Sequence, residues 1–308
     1  MKKIIFILVA VLATTFTSYA QITTMSAVEK KVEKVAVEYD VTKNFLGTKN
    51  VESYVGQVLY VKTKPLSLLF RKTNPKNPYE SKDYDGELLG KYFKVIKVEY
   101  GCGFNTHIFT LQNRDNAKDI VYYHYNSLDT SSENYDFPFI VVSHFEWCKS
   151  NLIGKTYLLT YFTKGEKTCA YWASETDFMT GEIVTHNTND IWECINITIE
   201  NKRNKLVALL KNKNGNVITY ELKHLEKDNE KVYILTENAY HNLVSKNGVT
   251  MVNAMRNHCI KIGMSKELLI MSWGKPEKIN YNSYGADQWV YYGGSCIYVN
   301  NGKVEGWN

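Results

Sequence analysis

Five short stretches of this chain recur in the same order 95 to 99 positions further on. That recurrence constrains the fold more than any other feature, because a repeated supersecondary unit dictates an architecture of copies. Tyr54–Val61 (YVGQVLYV) is matched by Leu152–Leu159 (LIGKTYLL), and Gly86-Glu87-Leu88 by Gly181-Glu182-Ile183. The alternating run Tyr92–Val98 is answered by Ile191–Ile197, and His107–Asp115 by Leu206–Asn214. A turn and a further strand follow each time, Ile120–Tyr125 and Val217–Leu222.

Period-2 alternation bounded by turn residues predicts five or six antiparallel strands per copy. Asn214-Gly215 is a hairpin signal, since both residues tolerate the positive φ of a type I′ turn. Units of this size, 46–150 and 151–246, are expected to close as small β barrels or sandwiches, which removes exposed edges. Residues 66–85, with Pro75, Pro78 and many charges, read as a long loop of the first copy. Ahead of it, residues 21–45 form a leader in which Val28, Val32 and Val35 keep helical spacing.

The N-terminus carries an export signal. Lys2 and Lys3 precede the uncharged run Ile4–Ala13, and Ser18-Tyr19-Ala20 presents small residues where a signal peptidase reads them. Residues 1–20 therefore read as a signal peptide cleaved before Gln21. A membrane span needs about 20 apolar residues, and the polar residues from Thr14 onward interrupt too soon. No Cys stands at the cleavage point to accept a lipid, and no transmembrane segment is expected in the mature chain. The expected location is periplasmic or outer-membrane-associated, with secretion as the alternative.

The formal net charge is +5, of which Lys2 and Lys3 supply two. So mild a balance, without a dense basic run, argues against nucleic acid. Twenty-three Tyr and six Trp against five Pro suit β-sheet surfaces. Six Cys in an exported chain permit disulfides. They fall two per segment, so the simplest pairing is Cys102–Cys148, Cys169–Cys194 and Cys259–Cys296; buried free thiols are the alternative.

From about Met251 the pattern changes. Ser265 is a good N-cap for a helix through Leu268, Leu269 and Met271, and Gly274-Lys275-Pro276 stops it. Strands are expected near 277–282, 287–292 and 295–299, with Asn300-Asn301-Gly302 turning into a last one at Lys303–Trp307. Gly263-Met264-Ser265, Gly274-Lys275-Pro276, Gln288-Trp289-Val290-Tyr291 and Asn301-Gly302-Lys303-Val304 together resemble the SmpA/OmlA (BamE-like) family of outer-membrane lipoproteins. The resemblance covers residues 250–308 and implies two helices, the first near 250–260, packed on a three-stranded antiparallel sheet. The fold class expected for the whole chain is mainly β with a small α+β C-terminal domain.

The sequence holds no GxSxG, HExxH, GxxxxGK[ST] or GxGxxG arrangement. Gly101-Cys102-Gly103 with His107 reads as a turn, because flanking glycines supply neither a base nor a lowered thiol pKa. His144 and Cys148 read as packed residues, and Glu87 and Glu182 as solvated acids. No cofactor and no metal site is indicated. Tyr122, Tyr123, Tyr125, Tyr171, Trp172, Tyr291 and Tyr292 lie in or beside strands, where outward rings suit sugar or protein surfaces and inward ones stabilise the sheet. The expected function is an exported binding or scaffold protein without catalysis, taking an envelope protein as partner, with carbohydrate as a further ligand class. A hydrolase with a dispersed site is the alternative. In the C-terminal domain Trp289 is expected to pack inward, leaving Gln288, Val290, Tyr292 and Tyr298 as the partner-binding face.

Mass spectrometry of the exported protein should find an N-terminus at Gln21 and no lipid. An intact Met1, or a chain retained by membranes through carbonate washing, contradicts the export reading.

Overall fold

A computed structural model of the chain describes residues 38–47, 50–63, 70–72, 87–101, 106–126, 137–164, 167–200, 204–226 and 231–308. The expected signal peptide, most of the expected leader, most of the 66–85 segment and Cys102 lie outside the described residues. The described architecture is mainly β, in several antiparallel sheets.

The first sheet contains β1 (Val58–Val61), β2 (Phe70–Arg71), β3 (Tyr92–Tyr100), β4 (Thr106–Asn113), β5 (Ile120–Asn126) and β6 (Phe139–Val141). Its strand order is β2-β5-β4-β3-β1-β6. The sheet is strongly curled. In a flat sheet β5 and β6 would stand four strand spacings apart, about 19 Å, yet the rings of Tyr123 and Phe139 are 5.0 Å apart. Phe70 on β2 likewise reaches Phe139, at 5.9 Å. Inside the curl pack Phe45, Tyr54, Leu59, Phe93, Phe109 and Phe137.

The second sheet contains β7 (Thr156–Leu159), β10 (Trp192–Glu200), β11 (Lys205–Asn212), β12 (Val217–Glu221) and β13 (Ile234–Thr236), in the order β12-β11-β10-β7-β13. A hairpin of β8 (Tyr161–Lys164) and β9 (Lys167–Ala170) precedes β10. Apart from β2, which has no counterpart strand, this is the order of the first sheet, and local irregularities recur with it. The β3–β4 ladder shifts between Val95 and Lys97, the β10–β11 ladder between Cys194 and Asn196. Gly56 and Gly154 both have φ +85, and their N–H groups donate to the carbonyls of Val95 and Cys194, at 2.8 and 2.7 Å. A glycine serves there because a side chain is strained at positive φ. The side chains of Asn113 and Asn212 each accept from the N–H two residues on. Even the loop crossing matches: Phe70 pairs with Tyr123, and Ala173 bridges Tyr220.

Within the described residues each unit is a curled antiparallel sheet, without the ladder that would close it into the barrel expected. Among the described residues no ladder joins β6 to β2 or β5, nor β13 to β12. The strands at the open seam are too short, two residues in β2 and three in each of β6 and β13; side chains close the curl instead.

The curled sheets also bury part of their outer faces. Tyr60 pairs with Tyr92 on one side and Ile140 on the other, so the three form one outward row. All three belong to the core of the second unit. Helix α1 (Val142–Leu152) joins them, starting at the residue after β6. It buries Val142, Phe145, Cys148 and Leu152, one face at helical spacing, among Tyr60, Tyr157, Trp192 and Cys194. No side chain caps its N-terminus, so packing on both sides holds it.

The arrangement repeats once more. After α2 (Lys223–Glu226), helix α3 (Glu237–Asn247) starts at the residue after β13. The outward pair Leu158–Leu235 is covered from the C-terminal side, Leu235 lying in the C-terminal core. Gly248, at φ +79, breaks α3 from α4 (Val249–Arg256). Helix α5 (Lys266–Trp273) is capped by Ser265, whose hydroxyl accepts from Leu268 N. Strands β14 (Lys278–Asn280), β15 (Asp287–Val290), β16 (Cys296–Asn300) and β17 (Lys303–Trp307) then form a meander of four. The resemblance implied three; the short β14 is added because the chain leaving α5 aligns Lys278–Asn280 with β15. Trp289 packs inward with Leu268, Leu269, Ile297 and Val304.

Phe145→Ala should cost about 3–5 kcal/mol by opening a cavity shared between the two units. Calorimetry should show one lowered, still cooperative transition for both; an unchanged melting temperature contradicts the shared core.

Candidate binding surfaces

The four residues expected to form a partner face come from β15, β16 and the turn between them. Asn280, Gln288, Tyr298 and Gly306 form one cross-strand row on the face opposite Trp289. Asn280 Nδ2 donates to Gln288 Oε1 at 2.8 Å, and Gln288 Nε2 donates to the Tyr298 hydroxyl at 3.3 Å. Val290, between Lys278 and Cys296, lies in the adjacent row. The structure thus brings Gln288, Val290 and Tyr298 together, all partly exposed. Tyr292 stands apart in the turn after β15, 89% exposed.

Of the other aromatics, Tyr123 and Tyr125 line the first core. Tyr122 points out of that sheet, partly exposed. Tyr291 is buried, its hydroxyl donating to Gly274 O at 3.2 Å. Tyr171 and Trp172 join a cluster described below.

Among the described residues no disulfide joins the expected partners Cys169 and Cys194 or Cys259 and Cys296; the third expected pair, Cys102–Cys148, includes a residue outside the described ones. Cys194 is committed to the core on β10, whereas Cys169 sits in the separate β8–β9 hairpin. Cys259 and Cys296 each turn their thiol to a carbonyl two residues back, Asn257 O and Gly294 O. Burial pushes the Cys194 thiol up to about 12, the reverse of an activated nucleophile. Cys148 Sγ lies 3.5 Å from His144 Nε2, but both sit fully buried on α1. Glu87 and Glu182 are exposed, and His107 is buried beside Tyr100. Among the described residues no group of three or more His, Cys, Asp or Glu is placed to hold a metal ion, and no described helix is long and apolar enough to cross a membrane.

The feature sequence reasoning did not assemble is the seam between the second unit and the C-terminal module. Arg256, at the end of α4, is 1% exposed. Its guanidinium donates to Leu159 O at 2.9 Å and to Thr188 O, and lies over the Tyr240 ring. Burial lowers its pKa, partly offset by Tyr161 and Tyr240. Next to it, Tyr171 meets His258 with ring centres 4.5 Å apart and Tyr233 at 5.6 Å. Trp172 stacks on His224 at 4.2 Å with the planes 14° apart. Glu221 underlies this group, bonded to Lys205 and Lys223; burial raises its pKa, but the two lysines outweigh that and hold it below the usual carboxylate range. The residues come from several separated segments, so only the aromatic pair Tyr171-Trp172 was visible in the sequence.

His258 sets an acid limit on this seam. Burial, with Lys231 nearby, lowers its pKa from 6.5 to about 4. Below pH 6.5 the unfolded chain takes up a proton that the folded chain resists, so stability falls between pH 6.5 and 4 and falls no further below. The loss should be up to about 2–3 kcal/mol. His258→Asn suits the left-handed backbone at φ +52, and should flatten the pH dependence of the melting temperature over that range; an unchanged slope contradicts the assignment.

No protein-family model matches this chain, and no curated protein matches it.

Proposed function

We propose that the chain is an exported, non-catalytic binding or scaffold protein of the cell envelope, and that its C-terminal module docks a protein partner near the outer membrane. The observation that carries this reading is the outer face of the C-terminal sheet. There the Asn280–Gln288–Tyr298 row is tied by side-chain hydrogen bonds. Side chains already fixed before binding lose less entropy on docking. The face mixes amide and hydroxyl groups with Val290 and with the exposed ring of Tyr292, the composition of a protein–protein contact. Trp289, 7% exposed, anchors the same strand from below, which separates the residues that fold the module from those that face outward.

The same module is the part we assign to the SmpA/OmlA-like fold group. The order of α4, α5 and a meander sheet supports this, as do the left-handed glycines at Gly263 and Gly274. The two repeated units are proposed to be copies of one ancestral unit, supported by their common strand order and matched ladder shifts. A fold alone does not fix function, so the docking assignment rests on the surface.

Gln288→Ala combined with Tyr292→Ala should leave the melting temperature within about 1 °C, since surface changes typically cost under about 0.5 kcal/mol. The double variant should recover at least tenfold less of any partner captured from envelope fractions by the full mature chain. Undiminished capture would move the docking role to the repeated units.

A further inference from the structure

We infer that the partner of the C-terminal face is a second copy of this chain, stacked sheet on sheet about a two-fold axis parallel to the strands. This rests on the proposal above that the outer face of that sheet docks a protein, and it names the protein. The sign of close approach is Gly306 on β17. It is the outward residue beside Tyr298, and its φ lies outside the left-handed region that favours glycine. Among the described residues, a Cβ built on it would meet no atom within 4 Å. The register shift beside it makes Glu305 the extra residue, which asks for no glycine at 306. Glycine inside a strand weakens it, and it marks places where another backbone comes near. Nothing within the described chain accounts for this one.

The order of residues across the face selects the occupant. One row reads Asn280, Gln288, Tyr298, Gly306, and the next Lys278, Val290, Cys296, Asn308. A two-fold axis running between β15 and β16 lays each row on its own reverse. Gln288 then faces Tyr298 of the second copy, Val290 faces Cys296, and Asn280 faces the gap at Gly306. Tyr292, 89% exposed, stands in the turn joining the two central strands, so the axis brings the two copies of that ring together. The central residues Gln288, Val290, Cys296 and Tyr298 carry no charge, so stacking buries no ion. Lys278, at the β14 margin, runs along the β17 margin of the second copy. There Glu305 is the nearer outward charge, and Lys303 sits further off at the turn. The two Lys278 stand three strand spacings apart, about 14 Å, beyond the ~8 Å over which exposed charges act at physiological salt. Four strands by three outward rows measure about 19 by 14 Å. That is less than a stable complex buries, at least ~1,200 Å² in total, so the association is weak and concentration-dependent.

The test is analytical ultracentrifugation of the full mature chain, with its thiols kept reduced, from about 10 μM to about 1 mM. The parent should pass from monomer to dimer over that range. Gly306→Val should weaken association at least tenfold while keeping or raising the melting temperature, because a β-branched side chain suits a strand and meets open space there. Gln288→Lys and Gln288→Glu each bring like charges near one another across the axis and should remain monomeric. Their equimolar mixture should associate at least tenfold more tightly than either alone, and it keeps the test sound if the valine variant fails to fold. A parent that is monomeric throughout overturns the inference. It leaves the docking proposal standing where Gln288→Ala with Tyr292→Ala still loses its captured envelope partner. A dimer indifferent to Gly306→Val, or a mixture that associates no better than its components, also overturns the inference.

Discussion

Each curled sheet of this protein buries apolar side chains on both faces along one side, at β3-β1-β6 and at β7-β13, and the remaining architecture follows from covering the outer ones. In the first unit Tyr60, Tyr92 and Ile140 form a row that would otherwise meet water, though Leu59, Phe93 and Val141 already fill the inside. Burying one such side chain is worth roughly 1.5–3 kcal/mol, so an uncovered row would weaken a unit of this size severely. The cover is supplied locally. Helix α1 begins at the residue after β6, and α3 at the residue after β13. Each unit thus ends in the helix that shields its own outer face, and the first of these helices also enters the core of the unit that follows. Independent domains on flexible tethers are incompatible with such a shared core.

The two seams use different chemistry. The first is apolar, with Phe145, Cys148 and Leu152 set among aromatic residues of both units. The second carries Arg256, a buried cation that bonds carbonyls of β7 and the 188 loop and no carboxylate among the described residues. Desolvating a guanidinium costs several kcal/mol, and hydrogen bonds to carbonyls return part of that. Those bonds form only when α4 stands in one register against β7. An apolar seam tolerates small slips in packing, whereas this one does not, so Arg256 specifies position more than it adds stability.

Much of the fold was legible because its signals are local. The Gly at a positive-φ turn before β1 and β7, the alternation in β3 and β10, and the turn asparagines at 113 and 212 recur at nearly constant spacing. Alternation also assigned Trp289 to the interior and Gln288 to the outer face. What was missed depends on tertiary approach. Whether a sheet closes is decided by the length of its edge strands and by contacts such as Phe70 with Phe139, which no local pattern encodes. An even number of cysteines permitted disulfides but could not show that Cys194 faces a core. The Trp172 group draws on residues 171–172, 221–224, 231–233 and 258, and a tryptophan at positive φ has no sequence signature.

The seam also bears on how the second unit relates to the outer face of the C-terminal sheet. A flexible linker would let the second unit and the Gln288–Tyr298 face sample many separations. Here the connection from β13 is α3, then Gly248, then α4, and α4 carries Arg256 back to the carbonyl of Leu159 on β7. Two covalent and hydrogen-bonded routes therefore join the second unit to the C-terminal module. Their separation is set by packed elements rather than by chain statistics. A partner that touched both would meet a fixed geometry, and the entropy of aligning them is spent when the chain folds rather than when it binds.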